Sequence, residues 1–192
     1  RDSSTSRGLG DVYKRQTVES TVDRVNSDLL DIRQIFDAAN YNIVQEFDIS
    51  SEKFAEQFSL LYEVNSDKIE SLALYGNEGR LIASEPVAVE KENIDVKGQD
   101  WYKNAESAIE NVHFSIPHIQ NLYEDGLYRY HWVVSLSRYV DINDGEIPGS
   151  GVLLVDMKYS VIEDVLKQIN DSSEGIYYYM TVSYTHLRAH ET

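Results

Sequence analysis

The sequence predicts an α+β fold with helices gathered on one side of an antiparallel sheet. Three observations predict it. A long run near the start carries apolar residues every third or fourth place, β-type segments follow one another through turn-rich connections, and short amphipathic segments interrupt and follow them. No helical crossover of the kind that joins parallel strands separates the hairpin partners.

The elements follow in order. Val18, Val22, Val25, Leu29, Ile32, Ile35, Ala39, Ile43 and Phe47 form one helical stripe without Pro or Gly, so residues 17–47 are predicted as a single amphipathic helix. At 1.5 Å per residue it is about 45 Å long, more than a core element of a small domain needs, so it projects or pairs. A second helix starts in "DISSEKFAEQFSLLYEV", capped by Ser50 or Ser51, with Phe54, Phe58 and Leu61 on one side. "KIESLALYGNEGRLIAS" reads as two strands joined at Asn77, Glu78 and Gly79.

A polar connection, "EPVAVEKENIDVKG", leads into a short helix, "QDWYKNAESAIEN". Strands are then predicted in "VHFSIPHIQ", "LYRYHWVVSLSRYV" and "GVLLVDM", the last two joined by a turn-rich loop, "DINDGEIPGS". Tyr128, Tyr130 and Trp132 alternate and so share a strand face, while His131 points the other way in a structural role. An exit helix, "YSVIEDVLKQIN", buries Val161, Ile162, Val165, Leu166 and Ile169, and "GIYYYM" opens another strand.

Composition narrows the function. The chain has 192 residues, 42% of them hydrophobic, enough to bury a core. A net charge of -16 and a pI near 4.6 oppose binding to nucleic acid or to an anionic membrane. There is no cysteine, which excludes disulfides, thiolate metal sites and cysteine nucleophiles and fits a reducing compartment or a bacterial exterior without disulfides. No apolar run reaches membrane-spanning length.

The two ends differ from the interior. Residues 1–16 hold more basic than acidic side chains and 182–192 are neutral, so the negative charge lies between them. "GLGDVYKRQ" and "VSYTHLRAHET" resemble translated sequencing adapters, which implies that 1–16 and 182–192 are non-native ends of a truncated piece. The pair His186 and His190, with metal-ligand spacing on a helix, is then no site. No metal and no cofactor are expected.

The order of elements, with "GRLIAS", "DVKGQDWYKNA", "FSIPHI", "HWVVSLSRYV" and "GVLLVDMKYSVIEDVL", resembles the double Cache family of extracytoplasmic sensor domains over about residues 17–181. The resemblance implies a PAS-like sheet and a domain plan. Residues 17–47 would be a signalling helix and dimer seam, 48–170 the membrane-distal, ligand-binding lobe, and 171–181 the start of a second lobe. In the amine-recognising branch a Trp-Tyr pair surrounds the ligand, matched here by Trp101 and Tyr102. The arginine and tyrosine that clamp a carboxylate are replaced by Gln99 and Ile94. Ser115, Ile116 and Pro117 match the branch's Ser-x-Pro strand, but His118 and Gln120 replace the tyrosine and acid that follow it; Asp156 is kept.

Trp101, Tyr102, Gln99, His118, Gln120 and Asp156 are thus the candidate ligand-binding residues. They imply a small polar ligand, neutral or weakly cationic, since Gln99 lacks the charge that makes an arginine–carboxylate pair strong. Plainer roles stay open: Trp101 and Tyr102 as core anchors, Asp156 as the cap of the exit helix. No phosphate-binding glycine loop, nucleophile elbow or paired-acid motif points to catalysis in this chain. The resemblance implies a sensor of a membrane-anchored receptor outside the cytoplasm, foremost a two-component histidine kinase acting as a homodimer. A chemoreceptor or cyclic-dinucleotide cyclase would leave these residues the same, and a soluble enzyme with PAS-like order is the rival of another class.

Overall fold

The computed structural model describes residues 3–109, 111–127, 129–145 and 147–167. The predicted strand "GIYYYM" and the pair His186 and His190 lie outside the described residues. The chain divides into two compact units, residues 32–159, and residues 1–31 together with 160–192. The described part of the second, 3–31 and 160–167, is helical throughout. Among the described residues no helix is long and apolar enough to cross a membrane.

The first helix, α1, runs Ser3–Asp37, starting well before the predicted Thr17. Its early residues from Gly8 to Val12 are exposed, and the helix extends through them because adding a turn to an existing helix requires no new nucleus and no apolar face. At its other end the chain widens into a π-helical segment, Ala38–Val44, closed by Gln45 N–H donating to the Asn40 carbonyl at 3.0 Å. Within the sheet unit the predicted stripe is buried at Ile32, Ile35, Ala39 and Ile43, joined by Phe36 and Val44.

Helix α2, Glu52–Val64, begins at Ser51, whose hydroxyl accepts the Phe54 N–H at 3.1 Å and settles which serine is the cap. Strands β1 (Ile69–Gly76) and β2 (Leu81–Glu85) form the predicted hairpin, with Gly79 at φ +77° in its turn. Helix α3, Asp100–Ser107, follows the polar connection.

Three strand predictions need correction. "VHFSIPHIQ" is not one strand but two short ones, β3 (His113–Phe114) and β4 (His118–Ile119), because Pro117 has no N–H to give to a ladder. Strand β5, Trp132–Asp144, starts later than predicted. Tyr130 lies outside it and is 79% exposed, so Tyr130 and Trp132 do not share a strand face; Tyr128 lies outside the described residues. The loop "DINDGEIPGS" is instead strand on both sides of a tight turn. β5 pairs with β6 (Ile147–Lys158) without a break from Asp144↔Ile147 to Val133↔Lys158, and Gly145 at φ +69° lets the chain reverse there. Helix α4, Tyr159–Lys167, follows directly.

The antiparallel sheet has the order β2-β1-β6-β5-β3, with β4 also on β5. One face carries Ala73, Tyr75, Val152 and Leu154, packed with Trp101, Tyr102 and Ala105 of α3 and with Leu122 and Tyr123. By strand alternation Leu72, Leu74, Leu153 and Val155 point to the other face. All four are buried, and the buried side chains left to cover them include Ile32, Phe36, Phe54 and Phe58. The sheet is therefore covered on both faces rather than on one.

Central strand β6 meets β1 very closely. A Cβ at Gly151 would run into the Tyr75 carbonyl oxygen and the Ile142 side chain. Gly151→Ala is expected to destabilise the fold by about 1–3 kcal/mol through overpacking, read as a lower midpoint in urea denaturation with an unchanged slope.

Candidate functional site

The site grows out of strand register. Ser71 on β1 and Ser135 on β5 both stand directly opposite Asp156 on β6. Side chains alternate along a strand, so this row shares the face of Ala73, Leu154 and Ser137, the face on which α3 lies. All three are buried, with exposures of 6%, 2% and 1% for Ser71, Ser135 and Asp156. The Ser135 hydroxyl lies 2.5 Å from one Asp156 oxygen, and the Ser71 hydroxyl 3.4 Å from the other. Burial pushes the Asp156 carboxyl above its ordinary value, opposed by the Ser135 hydrogen bond and by His118, and then by Ser71.

His118 joins the row from β4. Its Nε2 is 3.3 Å from the Ser135 hydroxyl, and its Nδ1 is 3.0 Å from the Ile116 carbonyl and 3.2 Å from the Ser115 hydroxyl. Ser115 is in turn fixed to β5, because its hydroxyl accepts the Ser135 N–H at 2.8 Å and its own N–H donates to the Ser135 carbonyl at 2.8 Å. The break between β3 and β4 thus turns the Ser115–Pro117 segment into a cradle for the imidazole.

Two cavities flank this line. The larger, about 420 Å³, is reached through Ser71 and is lined by Gln120, Tyr123, Glu70, Asp125 and His131 among others. The smaller, about 250 Å³, is lined by Trp101, Ser115, Ser137 and His113. Ser71, a partner of Asp156, therefore opens on one cavity, and Ser115, a partner of His118, on the other.

The structure separates the six predicted residues. Asp156 and His118 come together through Ser135. Gln120 lines the larger cavity, with its backbone N–H held by the His131 carbonyl at 2.8 Å. Trp101 lines the smaller one but is 6% exposed, 5.2 Å from the Tyr75 ring and 5.6 Å from the Tyr102 ring. Tyr102 is fully buried and donates its hydroxyl to the Gly76 carbonyl at 2.8 Å, which makes it the anchor of α3 on the sheet. Gln99 is the N-cap residue of α3, without a side-chain capping bond, and is not a hydrogen-bond partner of Asp156. The alternative role of Asp156 as a helix cap is overturned: it sits inside β6, and α4 begins only at Tyr159.

Sequence reasoning passed over Ser71, Ser135, Tyr75 and Tyr123. The two tyrosine hydroxyls are 3.0 Å apart, and burial pushes both phenols up. The two serines had a signal: hydroxyls at inward positions of otherwise apolar strands, where a buried polar group needs a partner. His131, expected to be structural, has its Nδ1 2.9 Å from Glu70 and its Nε2 2.6 Å from Asp125, and so ties the loop after β4 to β1 at the rim of the larger cavity.

No family model matches the sequence, and no curated protein matches it. Solved structures do match in fold. The ligand-binding domain of the Pseudomonas aeruginosa PAO1 amino acid chemoreceptor PctB, in complex with L-Gln, is 16% identical with a TM-score of 0.57, over 84% of this chain and 60% of that one. That of the Pseudomonas fluorescens chemoreceptor CtaA, in complex with L-serine, is 20% identical with a TM-score of 0.59, over 83% and 64%. The sensory domain of the Campylobacter jejuni chemoreceptor Tlp3 (CcmL) is 14% identical with a TM-score of 0.59, over 85% and 68%. The chain thus has the fold of these sensor domains and spans about 60% of the length of the first.

The rim contact has a pH signature. His131 foremost, then the Leu127 N–H, holds the Asp125 carboxyl down to about 2. The contribution of this depressed carboxyl is complete above its ordinary value of 3.8 and is lost as pH falls through about 2. His131→Ala should move the Asp125 midpoint back up toward 3.8, as followed by the carboxyl carbon shift in NMR.

Proposed function

We propose that this chain is the small-molecule-sensing domain of a bacterial transmembrane receptor, displayed on the extracytoplasmic side. The observation that carries the reading is a fully buried carboxyl, Asp156, held by the Ser135 and Ser71 hydroxyls, with Ser135 reaching the His118 imidazole and Ser71 lining a cavity of about 420 Å³. A concave, mostly pre-formed site with a few convergent polar groups is what recognition of a small ligand requires. The fold supports it, since two of the similar structures are ligand-binding domains in complex with L-Gln and L-serine.

The ligand is small and polar, and neutral or weakly cationic. Asp156, Ser71 and Gln120 supply acceptors and donors, and Gln99 offers no positive charge to a carboxylate. The parent is a histidine kinase or a chemoreceptor. The tyrosine-rich strands and the "YSVIEDVL" exit helix favour the first, while the chemoreceptor domains that share the fold fit the second as well. Ligand binding shifts a conformational equilibrium only by its differential affinity, so the sheet must pass a small displacement to α1, through which two copies pair.

Thermal denaturation with millimolar L-amino acids, small amines and polyols tests the reading. At a concentration near 100 times Kd a ligand adds about 2.7 kcal/mol, a rise in Tm of about 5–10 °C for a chain of this size. Asp156→Asn, which keeps the side-chain volume, should abolish the rise. A panel in which no compound raises Tm would sink the sensor reading.

A further inference from the structure

We propose that His131 is a proton-held latch on the larger cavity: a hydrogen shared with Glu70 ties the loop after β4 to β1 and completes the cavity wall, and its loss as pH rises releases that wall. The inference rests on the reading of this cavity as a ligand site and adds to it a means by which acidity regulates the site.

The latch is made of residues that line the cavity themselves. Glu70, Asp125 and His131 all face it, together with Ser71, Gln120 and Tyr123. His131 Nε2 is 2.6 Å from Asp125 Oδ2 and Nδ1 is 2.9 Å from Glu70 Oε1, so each ring nitrogen faces a carboxyl oxygen. The three side chains are between 20% and 29% exposed, and salt screens such half-buried contacts less than it screens an open surface pair.

A count of hydrogens decides what the junction needs. A neutral imidazole carries one N–H, and its other nitrogen presents a lone pair. Asp125 does not supply a second hydrogen, because its oxygens already accept from the Leu127 N–H at 2.8 Å and from Arg129 Nε at 3.3 Å, and its carboxyl is held down to about 2. The hydrogen facing Asp125 therefore sits on Nε2. Between Nδ1 and Glu70 a second one is required, whether it rests on the ring or on the carboxyl, since a bare lone pair 2.9 Å from a carboxylate oxygen is repelled. Without that hydrogen the ring stays with Asp125, in its own loop, and the link to β1 turns from attraction to repulsion. The closed wall holds one proton more than the released one, so low pH closes it and rising pH opens it.

The charged and titratable surroundings come from several elements. Arg129 and Glu124 approach from the same loop, Arg129 on Asp125 and Glu124 in the cavity lining. On the β1 side Glu70 faces Tyr62 of α2 and Asp156 of β6, and Glu85 of β2 also faces Tyr62. Lys158 of β6 stands opposite Val133, two places along from His131.

Amide hydrogen exchange on the whole chain without ligand tests the latch, at about pH 6 and about pH 8.5, values that bracket the titration of imidazoles in general, with each rate corrected for its intrinsic pH dependence. The reporters are Gln120, whose N–H donates to the His131 carbonyl, and Leu127, whose N–H donates to Asp125. Leu136 and Leu154, inside the β5–β6 ladder, serve as the internal standard. In the wild type, protection at the two reporters should fall about tenfold between the lower and the higher pH, the size of one hydrogen bond to a charged group, while the ladder keeps its own. Glu70→Gln keeps the shape, and its amide accepts from a protonated Nδ1 and donates to a bare one, so protection should stay high at both values. His131→Ala should be poorly protected at both. Wild-type protection that does not change with pH, a fall of the same size in Glu70→Gln, or a His131→Ala chain that stays protected overturns the proposal. Because no ligand is present, that failure would leave the thermal-shift result standing, and a failed ligand panel would leave the latch standing.

Discussion

A carboxyl group that is 1% exposed in the central strand of a sheet constrains everything near it. Left without partners it would cost several kcal/mol if ionised, and even as a neutral acid it needs its hydrogen bonds made. The sheet meets this demand from both sides, with a serine opposite Asp156 on each neighbouring strand. Those serines displace apolar side chains from the sheet face, which leaves the row thinner than the Tyr75, Trp101 and Leu154 cluster beside it. The cavities lie next to this thinner part. Polar satisfaction and concavity have one origin here, the choice of small hydroxyl residues around one acid.

Partners of Asp156 also explain why the outer strands are short. Had "HFSIPHI" formed one continuous strand, alternation would have fixed Ser115 and His118 on opposite faces. The break at Ser115–Pro117 frees the chain to bring both side chains to Ser135. The loop that follows β4 is then drawn back over β1 by His131, held between Glu70 and Asp125. The wall of the larger cavity is fastened by the His131 contacts to Glu70 and Asp125 at its rim and by the Tyr75–Tyr123 hydroxyl pair deeper in.

Local periodicity made much of this architecture legible. The stripe Ile32, Ile35, Ala39, Ile43, the Ser51 cap and the Gly79 turn are all set by neighbours close in sequence, and each formed as expected. Where the reading failed, a distant contact decided. "DINDGEIPGS" carries turn residues throughout, yet it pairs as strand because each half has a partner in the other and only Gly145 needs the turn. The same holds for the site. Asp156 and His118 were named as candidates through the resemblance to a known family, whereas Ser71 and Ser135 become partners only through a register that brings β1, β6 and β5 side by side. Tyr102 shows the converse, since its aromatic identity is equally consistent with a ligand platform and an anchor, and only its bond to Gly76 separates them.

The unbroken β5–β6 ladder links the acid to a turn at its far end. Pairing runs without a bulge from Asp144↔Ile147 past Ser135↔Asp156, so the residues at the hairpin tip count out the position of the site. A single residue gained or lost there, with the ladder sliding to follow, would rotate one whole strand by half a turn. Asp156 would then be thrust among Phe36, Phe54 and Phe58, and Val155 would take its place beside the serines. The hairpin tip therefore acts as a ruler, and evolution of this surface loop is restricted by a carboxyl group it never touches.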